Sequence, residues 1–90
     1  MTKRIFVGAL VALFFSQSSA FAAAKCTAHP KDEWMPEETL KKKIEAEGTK
    51  IKIFKVSGDC YEMYGLNRNG NKVETYYDTK TGEIIKSMVR

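Results

Sequence analysis

Apolar residues along the chain follow three regimes: a nearly unbroken run from Ile5 to Phe15, a sparse helical spacing between Pro36 and Glu47, and a β-rich tail from Thr49 onward. The middle regime predicts one helix over residues 36–47. Pro36 suits the first helical position, Glu37 and Glu38 place negative charge at the positive end of the helix dipole, and Gly48 supplies a left-handed stop. Leu40 and Ile44, one turn apart, make a narrow buried stripe, while Glu37–Lys41 and Glu38–Lys42 are expected to pair on the solvated side. The run Lys41-Lys42-Lys43 belongs to that wet face, so nucleic acid is not an expected partner.

After Gly48 the pattern predicts four strands, Thr49–Ser57, Cys60–Asn67, Lys72–Asp78 and Glu83–Ser87, each ended by turn residues. The links are short: Ser57-Gly58-Asp59, the Asn-Gly turn within residues 67–71, and Asp78-Thr79-Lys80-Thr81-Gly82. Such links favour an antiparallel meander. The expected fold class is α+β, with one N-terminal helix packed on one face of a small antiparallel sheet of three to four strands. Alternation puts Tyr61, Met63, Val73, Thr75 and Tyr77 in the core. The opposite parity carries Glu62, Tyr64, Leu66, Lys72, Glu74, Tyr76 and Asp78 on a face that one helix cannot also cover. Tyr64, Leu66 and Tyr76 are its candidate partner-binding residues. The first strand breaks alternation between Ile51, Ile53 and Phe54, Val56, which marks a bulge or burial on both sides. Trp34 is placed to staple the helix start to the sheet.

Composition changes the picture at the amino terminus. The chain has 90 residues, 43% apolar, yet residues 1–24 hold 16 of the apolar residues and four of the five Phe. The remaining 66 residues are about one-third apolar, a thin core for a single domain. Lys3 and Arg4, the 11-residue apolar run Ile5–Phe15 and the small residues that follow read as a secretory signal, cleaved after Ala20, Ala22 or Ala24. The run falls short of the ~17–25 residues a membrane-spanning helix needs. Lys25 before Cys26 argues against lipidation. The expected organisation is a signal over residues 1–24 and one domain over 25–90, periplasmic or secreted, with no membrane tether. The net charge of +4 falls to +2 once Lys3 and Arg4 are removed.

In an oxidising compartment Cys26 and Cys60, the two thiols of the chain, have one intramolecular connectivity open to them, and a disulfide is expected. The alternative is a metal-handling module in which Cys26, His29 and Cys60, assisted by Met35, hold a soft ion. Catalysis finds no support. Glu45 and Glu47 diverge on the helix, Ser57 and His29 share no nucleophile–base motif, and Asp59, Glu62 and Asp78 sit where solvation is the ordinary expectation. Neither an enzyme nor a cofactor is expected.

The segments Tyr61-Glu62-Met63, Asn69-Gly70, Lys72-Val73-Glu74-Thr75-Tyr76-Tyr77-Asp78 and Thr81-Gly82-Glu83-Ile84-Ile85, in that order, resemble a PepSY domain over roughly residues 36–87. Thr75 stands where the family often has an aliphatic residue, and the Cys pair belongs only to some small exported members. The resemblance implies a compact extracytoplasmic module, found alone or repeated. It also implies kinship with propeptides of thermolysin-like proteases, where an inhibitory role has been proposed. The family has no catalytic set to carry over. A non-enzymatic protein-binding or regulatory module follows as the expectation, with an envelope protein or protease as partner.

Overall fold

The computed structural model describes residues 24–90. The signal expected over residues 1–24, with its cleavage positions after Ala20 and Ala22, therefore lies outside the described residues apart from Ala24. A strap with a short 3-10 turn at Lys31–Glu33 leads into helix α1 (Glu37–Ala46), followed by strands β1 (Lys50–Ser57), β2 (Cys60–Leu66), β3 (Lys72–Asp78) and β4 (Ile84–Val89). The four strands form one antiparallel sheet in the order β1-β2-β3-β4. The expected fold class is the observed one, with small boundary changes. Pro36 caps α1 from outside instead of opening it, and β4 starts one residue later and runs two residues further than the apolar pattern implies.

Hydrophobic burial, which drives the folding of so small a domain more than any other interaction, is concentrated on one side of the sheet. Leu40 and Ile44 from α1 meet Tyr61, Met63 and Tyr77, with Trp34, Met35, Ile51, Phe54 and Val73 around them. Those two are the buried residues of α1. Its surface pair is Lys41–Glu38 at 3.6 Å, three residues apart and not four, and Lys41 also leans over the Phe54 ring at 5.3 Å. No residue of β4 joins the core cluster, and Ile84 and Val89 are each 59% exposed.

The broken alternation of β1 is a bulge: the register shifts between Ile51 and Ile53, opposite Gly65 and Tyr64. Gly65 is needed there, since a Cβ on it would run into the backbone carbonyl of Lys50 and press on Met63 Sδ at 3.0 Å. A second shift lies between Tyr76 and Tyr77, opposite β4.

The strap passes from one face of the sheet to the other. Cys26 is disulfide-bonded to Cys60, with Cα atoms 5.4 Å apart, and Cys60 has the parity of Glu62 and Tyr64, away from α1. Further along, Trp34 packs edge-on against Tyr61 on the α1 side at 5.4 Å, while its indole N–H donates to His29 O at 2.9 Å. The Tyr61 hydroxyl donates to Met35 O at 2.6 Å, and the Met35 amide donates to Thr79 O at 2.7 Å. Gly82, at φ 77°, completes this junction. A Cβ there would stand 3.2 Å from Met35 Cε and 3.3 Å from Leu40 Cδ1, so the Thr-Gly turn gives α1 room to dock.

Candidate functional site

The sheet face turned away from α1 is built in cross-strand rows. One row runs Lys55, Glu62, Tyr76, Lys86 and the next Ile53, Tyr64, Glu74, Met88. The sequence suggests a wet, mixed surface. Instead Glu62 is 3%, Tyr76 4% and Glu74 7% exposed, although no second helix lies over them among the described residues. Their neighbours bury them. The Tyr76 hydroxyl donates to Glu74 Oε2 at 2.9 Å, Lys55 Nζ lies 3.9 Å from Glu62 and 5.5 Å above the Tyr64 ring, and Arg90 reaches Glu74 at 3.5 Å. Long side chains lie flat over the carboxyls while their charged ends stay in water.

Electrostatics follow from this packing. Burial would raise the Glu74 pKa, but hydrogen bonding with Glu62 and with the Tyr76 and Tyr64 hydroxyls, together with the Arg90 charge, outweighs it and holds the carboxyl below its ordinary range. The Tyr64 phenol is pushed up, first by its hydrogen bond with Glu62 and then by burial. Tyr76 is pushed up by burial first, then by its bonds to Glu62 and Glu74. Of the three candidate binding residues, Tyr64 and Leu66 are half-buried and reachable, whereas Tyr76 is a buried strut of the carboxyl network.

Beyond that network, towards the ends of β2 and β3, lies a half-open pocket of about 200 Å³. Tyr64, Gly65, Leu66 and the buried Glu74 line it, Val73 borders it while its side chain packs against the α1 core, and the exposed Lys52, Lys72 and Arg90 stand at its rim. Sequence reasoning places Tyr64 and Leu66 on this face but misses Lys52, which the β1 bulge brings in. The pairs Glu62 with Tyr76 and Tyr64 with Glu74 are open to inference, because both are centred on Asn69, the middle of the Asn67–Asn71 turn.

At the other end of the same face the strap meets β2 and β3. Both thiols are bonded to each other, and His29 Nε2 lies 2.9 Å from Asp78 Oδ1. Cys26, His29 and Cys60 are therefore not a ligand set, and no cluster of three or more His, Cys, Asp or Glu suited to a metal occurs among the described residues. The disulfide overturns the metal-handling alternative. Asp78 is also not the solvated turn residue expected. It is 7% exposed, and its Oδ2 accepts from the Lys80 amide at 3.0 Å, the Thr81 amide at 2.8 Å and the Thr81 hydroxyl at 3.1 Å.

Burial alone would raise the Asp78 pKa, yet these hydrogen bonds and the one from His29 bring it down to about 2. Because the folded value is below the ~3.9 of an unfolded Asp, its contribution is complete above about pH 4 and is lost as the pH falls towards 2. The expected size is about 2 kcal/mol. Urea melts at pH 2, 3, 4 and 7 should show that loss in the natural chain and a flatter dependence in Asp78→Asn. An equally steep fall in Asp78→Asn would assign the acid sensitivity elsewhere.

Comparison with known proteins adds a family. The family model described as peptidase propeptide and YPEB domain matches residues 5–88. No curated protein and no solved structure matches the chain.

Proposed function

The chain belongs to the peptidase propeptide and YPEB domain family, PepSY, and we propose that it acts as an exported, non-catalytic module that binds and restrains a cell-envelope protease. The proposal places the contact on the sheet face opposite α1, through Tyr64 and Leu66, with Tyr76 holding the surface in shape from below. One observation carries this reading: an aromatic and an aliphatic side chain remain half-open above a pocket, on a face whose carboxyls and hydroxyls are already paired with one another. A preformed surface of that kind loses little side-chain freedom on docking. The disulfide fits an oxidising compartment.

The test is titration of the oxidised chain into zinc metallopeptidases of the thermolysin class, with residual activity read on a small peptide substrate. Stoichiometric inhibition by the natural chain is expected. A variant carrying Tyr64→Ala and Leu66→Ser should weaken it by about tenfold or more, as loss of two central interface anchors does, with the thermal midpoint little changed. Undiminished inhibition by that variant would move the contact to another surface, and no inhibition of any peptidase would remove the protease reading.

A further inference from the structure

We propose that the pocket beside Tyr64 and Leu66 takes an acidic segment of a partner protein, with one apolar side chain seated in the pocket and flanking carboxylates on Lys52 and Lys72. This rests on the reading of the open sheet face as the docking surface and names the chemistry of what docks there.

Size limits the occupant. The pocket holds about 200 Å³, below the ~300–1,000 Å³ of cofactor and drug-sized sites, which fits a single anchor side chain. Its apolar lining comes from Leu66 and the Tyr64 ring, beside the bare backbone of Gly65. An inorganic anion would gain nothing from such a lining.

Charge limits it further. The one side-chain carboxyl of the lining, Glu74, is buried and already engaged by the Tyr76 hydroxyl and by Arg90. Lys52 and Lys72 have no ion-pair partner among the described residues. The uncompensated charge at the rim is thus positive, and its complement is a chain with carboxylates on either side of an apolar residue. An extended segment supplies that arrangement, since its successive side chains project to alternate sides.

The probes are labelled peptides of sequence Gly-Asp-Glu-Leu-Glu-Asp-Gly and Gly-Lys-Lys-Leu-Lys-Lys-Gly, and phosphatidylglycerol vesicles, each titrated against the full oxidised chain by anisotropy or co-sedimentation. The acidic peptide should bind about tenfold tighter than the basic one, and the margin should shrink as salt is raised. Lys52→Glu with Lys72→Glu, both on exposed side chains, should reverse the preference. Lys52→Gln alone should weaken the acidic peptide about threefold, which tests the charge without a new one. Leu66→Ser should weaken both peptides.

Equal binding of the two peptides by the natural chain would overturn the proposal, as would an unchanged preference in the charge-reversed variant. Binding to vesicles without binding to the acidic peptide would overturn it in favour of a lipid surface. Protease inhibition that is lost with Tyr64→Ala and Leu66→Ser, but shows no peptide preference, would leave the surface standing and remove only the acidic segment. Peptide preference without protease inhibition would leave the acidic segment and its surface standing and remove the protease reading.

Discussion

Reduction of the Cys26–Cys60 bond is expected to unfold most of the chain at 37 °C. The bond spans 34 residues of sequence, and a loop of that length removes denatured-state entropy worth about 4 kcal/mol in the chain-entropy description. A core of this size supplies about 3–5 kcal/mol in total. The two magnitudes are comparable, so little net stability survives without the bond. The loss also frees the strap, whose hydrogen bonds to Asp78 and Thr79 and whose Trp34 contact with Tyr61 depend on residues 24–36 staying in place. Replacing both cysteines with Ala should lower the thermal midpoint by about 20 °C or more, given about 4–8 °C per kcal/mol for a domain of this length. A drop of under about 5 °C would mean that the α1 core, and not the staple, carries the fold.

Leu40→Ala is the second large effect. Leu40 is fully buried, and with Ile44 it is the whole of the buried stripe by which α1 holds the sheet. Deleting three of its carbons removes transfer free energy and leaves a void beneath Met35 and Gly82, at a cost of about 2–5 kcal/mol. Ile44→Val, which removes one methyl group from the neighbouring turn, should cost about 0.5–1.5 kcal/mol and serves as the graded control. Urea melts would give both values, and amide exchange would show whether α1 opens before the sheet. Fast exchange confined to α1 is expected in Leu40→Ala. A cost below that of Ile44→Val would show that the strap alone keeps α1 in position.

Much of this architecture can be read from residue order. The helix, the four strands and the parity that puts Tyr61, Met63 and Tyr77 under α1 follow from spacing, because a period of two and a period near 3.6 are hard to confuse when turn residues separate them. The bulge in β1 is visible as a broken alternation. What order does not reveal is the burial of Glu62, Glu74 and Tyr76 on the face without a helix. Alternation says where a side chain points but not whether the neighbouring long chains fold over it, and Lys55, Tyr64 and Arg90 do so here. Asp78 escapes a reading by residue order for a related reason. Its partners Thr81 and Lys80 are local and foreseeable, but His29 arrives from 49 residues away, through a strap whose path depends on the disulfide. Lys52 is hidden because a bulge residue has no fixed parity, and only the register of β1 against Gly65 and Tyr64 brings it to the pocket rim.

Cys60 and Asp78 lie opposite one another at one end of the sheet, Leu66 and Lys72 at the other. Six residue steps along β2 separate these ends, about 20 Å. Whatever is joined ahead of Ala24, whether a purification tag, a fluorescent carrier or the linker of an affinity resin, departs beside the disulfide and leaves the remote end unobstructed. Fusions should therefore be made on the amino-terminal side, and immobilised protein should present its pocket outward to the solution.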